Sequence, residues 1–320
     1  MEETPFISFI IPVYNVPTEM LCECLDSIIR LSLRKSEREI IVVDDGSQVS
    51  PLGALNNYLD DIIYIRQKNG GLGCARNRGL QNATGQYIQF VDADDALITN
   101  QYEHCLDIAR FKGPDMVMFE FSRQDQSQKV YADQKAATGR YLLRHQNIKA
   151  TACGYLFKAT ILGNLRFTAG IYHEDEEFTP LLILRAGSII QTDAEAYFYR
   201  SREASITTSQ DARNTVKRLN DFKAIIYRLY QFAAVIPGSD RMALLRQVHQ
   251  LTMDYIYKVI VDTRNRHYLD RQLEELRKKG LFPLADKDYT KKYKWFRRLT
   301  NTKIGLAFLM RTLPLIKRER

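Results

Sequence analysis

"YIQFVDADDAL" (87–97) decides how the chain is read. An apolar, β-prone run from Tyr87 to Val91 ends in Asp92, Ala93, Asp94 and Asp95. Three carboxylates this close repel one another and resist burial unless something offsets their charge. In an α/β sheet, ligands sit at the carboxyl ends of the strands. The flanking segments decide whether this is such a sheet.

"ISFIIPV" (7–13) and "EIIVVDD" (39–45) are β-branched runs that read as buried strands, and "IIYI" (62–65) is a third. Between the first two, Leu21, Leu25, Ile28 and Ile29 repeat at helical spacing, with Thr18 as the expected N-cap. "GLGCARNRGLQNA" (71–83) reads as a short helix entered through glycines. After Asp95, Thr99 is the expected cap of a helix presenting Tyr102, Leu106 and Ala109 on one face. Strand and helix in alternation imply an α/β fold, with a Rossmann-like, mostly parallel sheet covered by helices on both faces. Asp44–Asp45 and Asp92–Asp95 then gather on one rim.

Residues 113–210 are mixed. "DMVMFEF" (115–121) and "AYFYR" (196–200) read as strands, and "YHEDEEFTPLLILRAG" (172–187) becomes helical after its acids. From 211 the pattern is helical, with Val216, Leu219, Phe222, Ile226, Leu229 and Phe232 in one stripe. Leu245, Val248, Thr252, Tyr255 and Val259 form a second stripe after the "IPGSD" break (236–240). The expected division is one domain over 1–210, in two halves at 1–112 and 113–210, then a helical region over 211–320 with a basic tail.

The 320 residues, 45% hydrophobic, suffice for a large core. Five scattered cysteines with no metal-ligand spacing suggest reduced thiols and a cytoplasmic setting. The N-terminus begins acidic and Pro12 cuts its apolar run, so neither a signal peptide nor a membrane span is expected there. Ile304 to Met310 is too short to cross a bilayer. Ten Lys or Arg against one acid make residues 291–320 carry +9, leaving −1 for the first 290 of a chain whose total is +8. The basicity belongs to the tail, which speaks against a nucleic-acid binder.

The acid cluster at 92–95 suits a hard divalent cation, Mg²⁺ or Mn²⁺, whose shell is completed by water and phosphate oxygens. An EF-hand is excluded because Leu97 stands where its loop needs glycine. In "VVDDGS" (42–47), an acid at a strand end can accept hydrogen bonds from a ribose or base; the alternative is a plain turn. "NGGLGCARNRG" (69–79) is not a dinucleotide fingerprint, since Arg76 replaces the third glycine and the segment follows the third strand. Its glycines, Gly71 among them, can still offer N–H groups to phosphate, with Arg76 or Arg78 adding charge. "HEDEEF" (173–178) reads in isolation as an acid-rich helix start.

Together and in this order, "FIIPVYN", "IIVVDDGS", "NGGLGCARNRGL", "GQYIQFVDADD", "YHEDEEF" and "RSREASIT" resemble the family 2 glycosyltransferases of the GT-A fold, over residues 6–208. The resemblance implies an inverting transferase with a nucleotide-sugar donor, usually a UDP-sugar, bound in the 1–112 half, and an acceptor and catalytic half at 113–210. Pro12, Tyr14, Asp44, Asp45, Gly71, Arg76, Asp92, Ala93, Asp94 and Arg202 would form the donor site, with Asp45 at the base and Tyr14 near it. Asp92–Ala93–Asp94 matches the DxD motif, which touches ribose and holds Mn²⁺ or Mg²⁺; Asp92, Asp94 and Asp95 are the metal candidates, and Asp94 and Asp95 compete for the same role. Glu174–Asp175 matches the ED pair, whose Asp is the base that deprotonates the acceptor hydroxyl. Arg202 would approach the leaving diphosphate. The acceptor would be a glycan or a lipid-linked molecule of surface polysaccharide synthesis. Two other readings stay open, a sugar-nucleotide-binding protein without catalysis and a nucleotidyltransferase. The tail, with Trp295 and Phe296 among its bases, is read either as a solvated helix end or as a peripheral anchor on anionic lipid, at the cytoplasmic face of the inner membrane.

Overall fold

The computed structural model describes residues 4–127, 129–200 and 212–316. The chain divides into two compact units, Met1–Gly139 with Lys149–Glu203, and Arg140–Ile148 with Ala204–Arg320.

In the first unit, strand β1 (Ile7–Val13) leads through helix α1 (Thr18–Ile29) to β2 (Arg38–Asp44), then to β3 (Ile62–Arg66). Helix α2 (Leu72–Asn82) returns the chain across the sheet to β4 (Tyr87–Phe90). After these come β5 (Ala96–Leu97), α3 (Thr99–Asp107), β6 (Met116–Ser122), β7 (Tyr155–Lys158), α5 (Asp175–Arg185) and β8 (Ile189–Phe198); helix α4 (Gly139–His145), between β6 and β7 in the chain, belongs to the second unit from Arg140 on. The sheet order is β3-β2-β1-β4-β7-β6-β8-β5. The first four strands are parallel, β7 runs antiparallel to both its neighbours, β6 and β8 pair in parallel, and β5 is antiparallel to β8. The sheet is therefore mixed, with its parallel half in the first ninety residues.

Every residue of β1 is buried, as a strand covered on both faces must be. The connections β1–α1–β2 and β3–α2–β4 cross the sheet in opposite directions, so right-handed crossovers set α1 and α2 on opposite faces. The reversal makes a topological switch point between β1 and β4, where such sheets open a ligand crevice. Pro12 helps to open it. Val91 N–H donates to Ile10 O and Asp45 N–H to Val13 O, so alternate β1 residues face β4 and β2. Pro12 falls on the β4 side, where pairing has already ended at Ile10 and Phe90, and it has no N–H to offer.

Two expected caps shift by one residue. Pro17, in an extended conformation, occupies the cap position of α1, and Ile98 that of α3; Thr18 and Thr99 are the first helical residues, and neither cap residue makes a side-chain cap bond. Ile98 is held by its N–H to Ala196 O of β8, so sheet pairing sets that boundary.

The second unit contains α6 (Ala212–Val235), α7 (Gly238–Lys258), α8 (Arg266–Lys278), α9 (Lys291–Thr300) and α10 (Lys303–Ile316). Leu219, Phe222, Ile226 and Leu229 are buried as expected, whereas Val216 and Phe232, at the margins of the stripe, are exposed. No described helix is long and apolar enough to cross a membrane.

A Cβ at Gly79 of α2 would come 2.2 Å from Ile10 Cγ2 in the middle of β1. Gly79→Ala is expected to lower unfolding free energy by about 1–3 kcal/mol through overpacking, read as a lower chemical-denaturation midpoint. An unchanged midpoint would contradict this contact.

Candidate active site

The rim is built from loops that tie to one another. After β1, Asn15 adopts a left-handed backbone (φ +50) and donates its N–H to Ser47 Oγ at 3.0 Å, while its Oδ1 accepts Gln48 N–H at 2.9 Å. An open cleft of about 400 Å³ lies over this junction, bordered by Val13, Asn15, Val16, Ser47 and Pro51. Tyr14 beside it is exposed.

The paired acids after β2 are both buried. Asp44 accepts Ser47 N–H and the Tyr64 hydroxyl, each at 2.8 Å. Burial opposes its charge, but these hydrogen bonds and Arg66 outweigh it and hold the carboxyl below its ordinary range. Asp45 reaches the glycine loop instead, where Oδ1 accepts Gln67 Nε2 at 2.7 Å and Gly70 N–H at 2.9 Å, and Oδ2 accepts Gly71 N–H at 2.8 Å. Gly71 caps α2 with φ +89, a conformation suited to glycine. The glycine N–H groups expected to face phosphate therefore donate to Asp45, and Asp45 keeps about one of its four acceptor positions.

Arg76 joins the two acid clusters. It points from α2 into a buried space, where Nη1 donates to Glu174 Oε1 at 2.9 Å and Nη2 to Asp92 Oδ1 at 3.0 Å. Its guanidinium carbon lies 5.8 Å from the Phe90 ring centroid and 5.4 Å from that of Phe167. Burial works against the charge, yet Asp92, Cys153, Glu174 and Asp175 together raise its pKa. Asn77, next in sequence, grips the loop before α5: its Nδ2 donates to Phe167 O at 2.8 Å and its Oδ1 accepts Phe167 N–H at 2.9 Å. Phe167 in turn stacks on Phe178 of α5 at 3.9 Å. His173 turns the chain into α5 with a left-handed backbone (φ +63), leaving Glu174 at the cap and Asp175 as the first helical residue. Burial, then the neighbouring Glu174 charge, raises Asp175 to about 6, with Arg76 pulling the other way and Asp92 adding to the rise.

The three acids after β4 occupy different environments. Asp92 is one-third exposed and bonded to Arg76. Ala93 is buried and Asp94 half-buried. Asp95 is only 2% exposed. Its Oδ2 accepts the Tyr197 hydroxyl at 2.9 Å and its Oδ1 the Arg200 N–H at 2.8 Å. Tyr197 Oη also accepts Asp92 N–H at 3.0 Å, and Arg200 Nε donates to Asp94 O at 3.0 Å, so β8 braces the whole acidic loop. Burial, then Asp92, raises Asp95 to about 7. Among the described residues, no three His, Cys, Asp or Glu side chains converge on a metal position. Asp92 and Asp94 are hard oxygen donors at the crevice, a set that fits a cation sharing its shell with phosphate and water. Arg202 lies outside the described residues.

Sequence reasoning did not select Asn77, Tyr197 or Arg200. All three lie within the quoted segments, but nothing in those segments shows that they meet residues about 90 and 100 positions away.

Residues 8–166 match the family model described as glycosyl transferase family 2. The chain belongs to glycosyltransferase family 2. A glycosyltransferase named GlyA of Streptococcus pneumoniae is 33% identical over 220 residues, covering 63% of this chain and 31% of that protein. A poly(ribitol-phosphate) beta-glucosyltransferase of Bacillus spizizenii is 29% identical over 222 residues, covering 62% of this chain and 32% of the relative. The chain thus matches about a third of the length of either family member. Among solved structures, S. aureus TarS 1-349 in complex with UDP-GlcNAc superposes with a TM-score of 0.66 at 19% identity, over 98% of this chain and 91% of that one. The mannosyltransferase PcManGT of Pyrobaculum calidifontis, in complex with GDP-Man and Mn²⁺, superposes with a TM-score of 0.57 at 16% identity, over 98% and 87%. The fold is GT-A, with a helical region after it.

Arg76→Met leaves Glu174 buried without its cation and is expected to cost about 3 kcal/mol of unfolding free energy. The double variant Arg76→Met/Glu174→Leu should recover part of that loss in the same denaturation measurement.

Proposed function

We propose that the chain transfers a sugar, with inversion, from a nucleotide-diphosphate sugar to an acceptor hydroxyl. The observation that carries this reading is the Arg76 bridge, which holds the acidic rim of β4 and the acidic start of α5 around one buried cation. Donor chemistry and proton chemistry each need carboxylates, and here two sets are fixed within electrostatic reach of one another.

Asp175 is the base. Its carboxyl, raised to about 6 by burial and by Glu174, remains ionised near neutral pH and is a better proton acceptor than an ordinary aspartate. Glu174 is a positioning residue, since its carboxylate accepts from Arg76. On the donor side, the cleft between the β1 and β2 loops takes the base, with Tyr14 and the remaining acceptor position of Asp45 as its candidate contacts. Pro12 and Asp44 shape that wall from within. Asp92 and Asp94 would hold Mn²⁺ or Mg²⁺, which would supply positive charge to the departing diphosphate. The burial of Asp95 favours Asp94 over it as the ligand, and its bonds to Tyr197 and Arg200 give Asp95 the task of bracing the loop. Arg202 is the candidate for a further contact with the diphosphate.

The UDP-GlcNAc and GDP-Man complexes of the fold neighbours support a nucleotide-sugar donor, and a UDP-sugar is the first choice. The poly(ribitol-phosphate) relative supports a polymer acceptor; the reading carried forward is a glycan or a lipid-linked precursor on the cytoplasmic side.

A panel of UDP- and GDP-sugars, screened with Mn²⁺ for donor hydrolysis and transfer, tests the activity. Asp175→Asn should lower turnover roughly 10²–10⁴-fold while donor binding persists. Near-normal turnover would remove Asp175 from the role of base. Because the base must be ionised, kcat/KM should rise with pH through about 6 and level off above it. Asp94→Ala should abolish any metal-dependent gain in donor affinity, while Asp95→Asn should retain it; the reverse result would exchange their roles.

A further inference from the structure

Between residues 291 and 316 there are seven Lys or Arg and no acid. Three of the seven are paired: Lys292 with Asp254 at 3.8 Å, Lys294 with Asp288 at 2.6 Å, and Arg297 with Asp286 and Asp288. Lys291, Arg298, Lys303 and Arg311 are exposed and have no acidic partner among the described residues.

Helix α10 is apolar on two sides. Leu306, Leu309 and Leu313 are buried on the side that packs on α9 and on the turn after α7. On the other side Ile304 is 85% exposed, Phe308 50% and Leu315 62%. At about 100° per residue these three fall within roughly 40° of one another, and Arg311 lies in the same stripe. Trp295 on α9 is 48% exposed. A helix apolar all round normally lies in a core, and one that keeps a basic border while exposing its second apolar face is suited to a lipid boundary.

We propose that α9 and α10 form an in-plane anchor on an anionic lipid surface. The stripe of Ile304, Phe308 and Leu315 enters the acyl boundary, Trp295 sits at headgroup level, and Arg311 extends its charge outward to the phosphates. A second copy of the chain fits this face poorly, because it would bury Arg311 within the apolar stripe while residues 291–316 offer no acid to pair it. Lipid supplies both the apolar medium and the countercharge.

The test uses the full chain in vesicle co-sedimentation, with phosphatidylcholine alone and with phosphatidylcholine mixed with phosphatidylglycerol. The chain should pellet with the mixed vesicles at low salt and remain in solution with phosphatidylcholine. Each base removed should lower partitioning roughly fivefold, so K291Q/R298Q/K303Q/R311Q should lose more than about a hundredfold. I304S/F308S/L315S should also detach, with unchanged circular dichroism and melting temperature showing that it remains folded. Equal partitioning of the chain and both variants overturns the anchor. So does absence of vesicle binding together with a dimer in light scattering that I304S/F308S/L315S dissolves, which would assign the face to a second copy.

Discussion

One buried guanidinium ties the acidic end of β4 to the acidic start of α5. Arg76 is removed from water at a large cost, offset by two carboxylates and two aromatic faces, with the Cys153 sulfur and the Asp175 charge nearby. The offset is incomplete, since Nε has no hydrogen-bond partner among the described residues. An arrangement that tolerates such a group is held closely in position, because moving either acid would leave the cation exposed to an apolar wall. Asp92 arrives on β4 and Glu174 on the turn into α5, and Arg76 makes their separation a fixed quantity.

The other acids divide by what already surrounds them. Asp44 and Asp45 are mostly satisfied by their own loops and act as the frame of the cleft. Asp95 is buried against Tyr197 and the backbone of Arg200, so it fastens the acidic loop to β8. Asp92 and Asp94 keep contact with solvent at the crevice, and Asp175 keeps a raised pKa. Neighbouring residues of the same type thereby stand in unlike surroundings, some fixed by their own bonds and others open to solvent.

Much of the first unit was legible because short-range rules cover it. β1, β2 and β4 are apolar runs that a doubly wound sheet requires, and α2 is announced by its glycines. β8 was legible only at its end, since Gln191, Thr192 and Asp193 break the apolar run of a strand that begins at Ile189. β7 is four residues long and α4 seven, too short for a periodicity to register. Within the site, residue types were readable and pairings were not. Asp94 and Asp95 are indistinguishable as neighbours in sequence, and what separates them is Tyr197, about a hundred residues away. The Arg76–Glu174 contact spans 98 positions, and no local pattern encodes it.

Pro12 carries a consequence for how the sheet assembles. A parallel strand that slips by two residues keeps its side chains on the same faces, so hydrophobic patterning alone does not forbid the error. If β4 slid two residues toward the rim, its ladder would call on the amide hydrogen of residue 12, and proline has none. The slipped alignment loses a bond that the native one, ending at Ile10 and Phe90, never needed. An absent hydrogen on β1 thus acts as a register stop, and it keeps Asp92 at the height where Arg76 can reach it.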